Sequence, residues 1–198
     1  YTVDEHTIRA IGVLSGIETK RLIEDHPLAC SVIDEIGSRR VLYFSVFLHD
    51  IAKGRGEDHS EAGAKIAIKL ARRFGFNEWE TYTCAWLVKH HLLMSHFAFK
   101  RDIDDPKTVL DFLEVVQSPE RLRLLTVLSI ADIRAVGPKV WNAWKAGLLR
   151  DLYWRAQEIL SGNGSPDQIS VRVKRAQDQL YEKLPNWSEK KIHKFFNY

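Results

Sequence analysis

Apolar residues recur three and four positions apart in seven segments of this chain: 8–14, 41–48, 66–74, 82–88, 109–116, 122–133 and 148–159. At 3.6 residues per turn, that spacing lines up one face of a helix. No segment shows the strict alternation of a half-buried strand. The pattern predicts an all-α chain, a bundle of eight to ten helices with short connections. Punctuation at the segment ends agrees. Gly75 closes one helix, and Asn77 with Glu80 opens the next as an N-x-x-E capping box. Ser118-Pro119-Glu120 supplies an N-cap, a first-turn proline and an early acid, and Ser165-Pro166-Asp167-Gln168 repeats the device. The longest connection is expected in "MSHFAFKRDIDDPKT", residues 94–108. "SGNGSP", residues 161–166, reads as a linker between a domain over 1–160 and a helical extension over 161–198.

At 198 residues, 45% of them hydrophobic and 28% charged, the chain can bury one sizeable core. The net charge is +3 and no run of five or six Lys or Arg occurs, which by itself argues neither for nor against nucleic acid; no nucleic-acid partner is expected. No stretch of 18 apolar residues and no signal-peptide pattern is present, so no membrane association is expected. Cys30 and Cys84 lie far apart without C-x-x-C spacing, which argues against a disulfide framework and makes a reducing cytoplasm the default. The start at Tyr1, almost at once in helical pattern, reads as a piece of a longer protein.

The chemistry-bearing residues are His6, His49-Asp50, His59, His90-His91 and Asp132, each at or near the end of a predicted helix. Polar residues that interrupt apolar faces either reach solvent or converge on a shared polar centre. Imidazole and carboxylate together suit divalent cations such as Mn, Fe, Co or Zn. Seven such residues exceed the needs of one ion. They suffice for two ions about 3.5–4 Å apart with a bridging carboxylate. Asp50 is the expected bridge, because a carboxylate offers two oxygens and an imidazole in this role one nitrogen. A site with a single ion stays open. Two cations acidify a shared water, which then attacks phosphorus in line. Lys53 lies one turn beyond His49 and Asp50, placed to stabilise charge on a phosphoryl group or leaving oxygen. The turn "KGRGEDH" adds Arg55 and glycines that permit close backbone approach.

Other residues have plainer readings. His26, His96 and His193 read as ordinary histidines, and Met94 as packing. Trp141, Trp144 and Trp154 read as core or interface anchors. Lys139, Asn142 and Lys145 of "PKVWNAWK" either contact an anionic substrate or form a solvated helix face, the second being favoured.

The ordered set His6, His49-Asp50, Asp132 resembles the HD superfamily of metal-dependent phosphohydrolases over roughly residues 1–160. The further His59, His90 and His91 resemble its members with a binuclear site. "HDIAKGRGEDHSEAGA", "AWLVKHHLLMS", "DIDDPKTVLDF" and "ADIRAVGPKVWNAWKAGLLRDLY" are similar to the HD domain of the uridylyltransferase/uridylyl-removing family of bacterial nitrogen signalling. "LPNWSEKKI" is similar to the stretch leading toward that family's ACT domains.

The resemblance implies an N-terminal nucleotidyltransferase, an HD domain and two ACT domains that sense glutamine. The transferase places UMP on a tyrosine of the PII signal protein, and the HD domain removes it by hydrolysis with Mg or Mn. The chain has neither the Gly-Ser and paired Asp residues of a transferase nor ACT-like alternation of strand and helix, so it would hold only the removing half. On this reading His6, His49, Asp50 and Asp132 hold one metal, and His59, His90 and His91 with Asp50 hold a second. Lys53 assists as a catalytic cation. No Gly-Tyr-Pro follows His90-His91, which argues against a cyclic-di-GMP phosphodiesterase. Ile51-Ala52-Lys53 stands where (p)ppGpp hydrolases carry a Glu-Asp pair. Two alternatives stay open: a nucleotide phosphohydrolase with a small-molecule substrate, and a catalytically silent sensor that binds nucleotide or metal.

Overall fold

The helical periodicity is realised in a computed structural model that describes residues 2–54, 56, 58–137 and 140–162. Among the described residues there are nine α-helices and no strand. They are α1 (Val3–Glu18), α2 (Pro27–Val32), α3 (Arg39–Leu48), α4 (His59–Arg73), α5 (Glu78–Lys89), α6 (Leu93–Lys100), α7 (Pro106–Val116), α8 (Pro119–Val136) and α9 (Ala143–Leu160). A 3-10 turn, Ile33–Glu35, follows α2. The expected linker from residue 163 onward, the extension, the Ser165-Pro166 cap, His193, Arg55 and Lys139 lie outside the described residues.

The caps fall where the local chemistry puts them. Gly75 has φ +71°, a left-handed conformation that ends α4 at little cost. The Asn77 side chain accepts from Glu80 N, and Glu80 accepts in return from Asn77 N. Ser118 caps α8 through Arg121 N, with Pro119 as its first helical residue.

One expectation is corrected. Residues 94–108 are not a single loop, because α6 covers Leu93–Lys100. Met94, Phe97 and Ala98 are all buried, at the i, i+3, i+4 spacing of a helix face. Two turns were too short to stand out among the polar residues that follow. Met94 packs in the core, as expected.

α8 is the axis of the bundle. Its residues 124–131 are buried without a break, so it is packed on all sides rather than on one face. It touches α1, α2, α3, α5, α6 and α9. α1 runs against it in the opposite direction, which brings the start of α1 beside the end of α8. α1 is also clamped to α3. Tyr43 Oη donates to Glu18 Oε2 at 2.6 Å, and Arg39 Nε donates to Glu18 Oε1 at 3.1 Å. Burial and this hydrogen bond to a carboxylate push the Tyr43 hydroxyl up to about 12. Cys30 and Cys84 are both buried and unpaired.

α4 and α5 form an antiparallel pair. The buried residues of α4 are Ala62, Gly63, Ala64, Ala67 and Ala71, so its inner face carries little bulk and α5 comes close. At Gly63 a Cβ would lie 2.9 Å from Val88 Cγ1. The pairing sets the start of α4 beside the end of α5, and with them His59 beside His91. As a result α1 and α4 begin, and α3, α5 and α8 end, at one end of the bundle.

Ala favours a helix over Gly by about 1 kcal/mol where there is room. At Gly63 there is none, and Val88 is stiff at χ1. Gly63→Ala is expected to destabilise the fold by about 1–3 kcal/mol. Adding Val88→Ala should weaken this penalty, so the two changes will not be additive in urea unfolding.

Candidate metal centre

Each functional side chain is set by a helix end. His6 lies in the second turn of α1, His49 caps the C-terminus of α3 with Asp50 next to it, and His59 is the first residue of α4. Asp58 before it caps α4 by accepting from Ser60 N and Glu61 N. His91 follows the C-cap of α5, and Asp132 lies one turn before the end of α8. Of these, His49, Asp50 and His91 are at most 3% exposed.

Two groups of ligand-type atoms result. In the first, His6 Nε2 lies 2.9 Å from Asp132 Oδ1 and 3.1 Å from His49 Nε2, and His49 Nε2 lies 3.5 Å from Asp132 Oδ1. Atoms bound about 2.1 Å from one ion at octahedral or tetrahedral angles stand about 3.0–3.4 Å apart. The three separations therefore match the edges of a coordination polyhedron. In the second group, Asp50 Oδ1 lies 3.8 Å from both His59 Nε2 and His91 Nε2. This group is wider, leaving room for further ligands from solvent or substrate. The other oxygen, Asp50 Oδ2, faces His49 Nε2 at 3.8 Å and accepts from Lys53 Nζ at 2.7 Å. The two oxygens of Asp50 thus face different groups.

The rings are oriented by the helices they end. His49 Nδ1 donates to the Val46 carbonyl and His91 Nδ1 to the Val88 carbonyl, both at 2.7 Å. Each carbonyl belongs to the last turn of its helix, where it has no intrahelical partner. A carbonyl only accepts, so Nδ1 carries a hydrogen and Nε2 faces the centre, with a lone pair in the neutral ring and a second N–H in the protonated one. A hydrogen bond behind the ring is the arrangement that fixes metal-binding histidines. Sequence reasoning missed these two carbonyls. The signal was a histidine three residues beyond a valine in the last apolar turn.

The electrostatics favour a cation. Burial opposes ionisation of Asp132, but hydrogen bonds from His49 and His6 and the nearby imidazoles hold its carboxyl well below the usual carboxylate range. Burial also opposes a proton on His49, yet the Asp132 hydrogen bond and charge lift its pKa above the ordinary histidine value. Burial lowers that of His91. The negative charge that draws a proton onto His49 attracts a divalent ion to the same place.

The other expected residues fall as follows. Lys53 lines the pocket over the two groups, with its side chain 56% exposed. The structure does not bring His90 into either group. Its ring packs beside Trp86, with centroids 5.1 Å apart, and burial and Lys89 lower its pKa. Asn142 caps α9 through Lys145 N, and Lys145 Nζ donates to the Val140 carbonyl, so both serve local structure away from the pocket. His26 is buried against Trp141, with ring centroids 4.7 Å apart. Trp144 and Trp154 are more than half exposed rather than core.

An all-α bundle with a largely buried His/Asp centre at one end defines a class of helical proteins equipped for divalent cations. The HD domain family model matches residues 3–135, and the chain belongs to the HD domain family. It is 56% identical over 187 residues to a bifunctional uridylyltransferase/uridylyl-removing enzyme of Azospirillum brasilense, covering 94% of this chain and 20% of that protein. Proteins of the same description from Novosphingobium aromaticivorans and Zymomonas mobilis are 60% and 49% identical, over 81% and 98% of this chain and 18% and 21% of theirs. The chain thus spans about a fifth of the length of these relatives. No helix among the described residues is long and apolar enough to cross a membrane.

Manganese at about 100 times its dissociation constant is expected to stabilise the chain by about 2.7 kcal/mol, a rise in Tm that chelation reverses. Asp132→Asn keeps the side-chain shape and removes the charge. Thermal unfolding of that variant should show a smaller manganese-dependent rise, because the group of Asp50, His59 and His91 is left intact.

Proposed function

We propose that this domain is a metal-dependent phosphodiester hydrolase that removes UMP from a uridylylated tyrosine of the PII nitrogen-signalling protein. The observation that carries the reading is Asp50, whose two oxygens face two separate groups of ligand-type atoms. His6, His49 and Asp132 would hold one divalent ion, and His59 and His91 a second, with Asp50 as the bridge. Mg and Mn suit the carboxylates, while Fe, Co and Zn also suit this imidazole-rich set. When bound, such ions supply Lewis acidity to the phosphoryl oxygens and acidify water for attack. The identity to uridylyl-removing relatives, at 49–60%, supports the choice of substrate.

The protein's own groups do the rest. His49 and His91, held from behind by Val46 and Val88, keep their Nε2 lone pairs aimed inward. Lys53 stands at the pocket with one hydrogen bond to Asp50 and its remaining ammonium hydrogens available to a phosphate oxygen. Hydrolysis breaks the bond from phosphorus to the phenolic oxygen, forms one from phosphorus to a water oxygen, and leaves UMP and tyrosine. Tyrosine has a pKa of about 10, so the phenolate departs without a strong general acid.

Asp50→Asn should lower UMP release from uridylylated PII by a factor of at least about 10³, since it removes the shared anionic ligand. Single-turnover release in saturating manganese checks this. Near-normal release from the folded variant would contradict the mechanism, and faster turnover of free nucleotides than of uridylylated PII would contradict the substrate.

A further inference from the structure

The pocket over the two groups encloses about 490 Å³, a volume typical of small-ligand sites. Its floor is ionic, but part of its wall is not. Val3, Leu92 and Val136 line it and are 36%, 46% and 45% exposed. Their positions follow from those of the ligand-type residues. Val3 lies one turn before His6 on α1, Val136 one turn after Asp132 on α8, and Leu92 directly after His91. Residues three or four apart on a helix share a face, so the fold that aims His6 and Asp132 into the pocket also presents Val3 and Val136 to it.

We propose that Val3, Leu92 and Val136 form an apolar seat for the aryl ring of the leaving group, so that the pocket selects aryl over alkyl phosphate esters. The proposal rests on the hydrolase reading and adds which part of the substrate this wall receives. An esterified tyrosyl ring has no hydrogen-bonding group left to satisfy. Its flat apolar faces suit a wall of two valines and a leucine, which together lose water contact when the ring covers them. Uracil is the poorer occupant. Its two carbonyls and its N–H would face side chains that neither donate nor accept, and unpaired polar groups are costly to bury. Thr2 carries the only hydroxyl among the described lining residues. The seat also suits the direction of approach. A tyrosine carried on a protein surface enters from outside, and these three side chains share the exposed part of the wall with Thr2 and Lys53.

The test uses calorimetric binding of phenylphosphonate and methylphosphonate to the manganese-loaded chain, two probes that cannot be hydrolysed. The wild type is expected to bind the phenyl compound about tenfold more tightly, the discrimination that one apolar contact surface supplies. In Leu92→Ser/Val136→Ser the ratio should fall close to one with manganese affinity unchanged, and Leu92→Phe should keep the preference. Each single serine variant is read in the same way, so loss of manganese in one leaves the other to decide. Equal binding of the two probes by the wild type, or a preference that survives serine substitution, overturns the seat. The hydrolase reading fails separately, if the wild-type chain with manganese releases no UMP from uridylylated PII while still preferring the phenyl probe.

Discussion

Three ligand-type atoms, His6 Nε2, His49 Nε2 and Asp132 Oδ1, stand 2.9–3.5 Å from one another in a largely buried place. A buried carboxylate among imidazoles is stabilised by positive charge between them, as a shared proton or a bound cation. The rest of the structure is arranged around this constraint. The three atoms come from α1, α3 and α8, so the centre exists only if those helices are held in register. The continuous burial of residues 124–131 and the clamp of Glu18 on Tyr43 and Arg39 supply that register.

The second group depends on a different feature, the small inner face of α4. Alanines and Gly63 let α5 approach until the histidine that starts one helix meets the histidine just past the end of the other. Asp50 joins the two groups because it follows His49 at the end of α3, where the chain turns away from the helix and a carboxylate can face both ways. Three helices end here, and their C-terminal partial negative charge adds to the attraction for cations. The two helices that start here work in the opposite sense, so the carboxylates, not the macrodipoles, dominate the field.

Much of this was legible in the sequence, for physical reasons that differ from residue to residue. The helices announced themselves through apolar spacing, and Asn77, Ser118 and Pro119 marked boundaries by capping chemistry that is local and short-ranged. The histidines and aspartates stood out because they interrupt apolar runs at helix ends. The difference between His90 and His91 also has a signal in the sequence. Cys84, Leu87 and Val88 mark the buried stripe of α5, and three residues on from Val88 the stripe reaches His91, while His90 continues the face of Trp86. α6 was hidden by its two-turn length. The roles of Asn142 and Lys145 were hidden because capping a helix and binding an anion call for the same residue types. The grouping into two sets of three depends on helix packing over more than 120 residues of separation between His6 and Asp132, which no local pattern carries.

Asp50 faces both groups of ligand-type atoms, and Val3, Leu92 and Val136 line the same pocket. The most direct measurement is anomalous diffraction from crystals of the chain grown with manganese. Two peaks about 3.5–4 Å apart are predicted, one within bonding distance of His6, His49 and Asp132 and one of His59 and His91, with Asp50 touching both and His90 neither. A single peak that Asp50 does not touch, or manganese bound only at other residues, would contradict it.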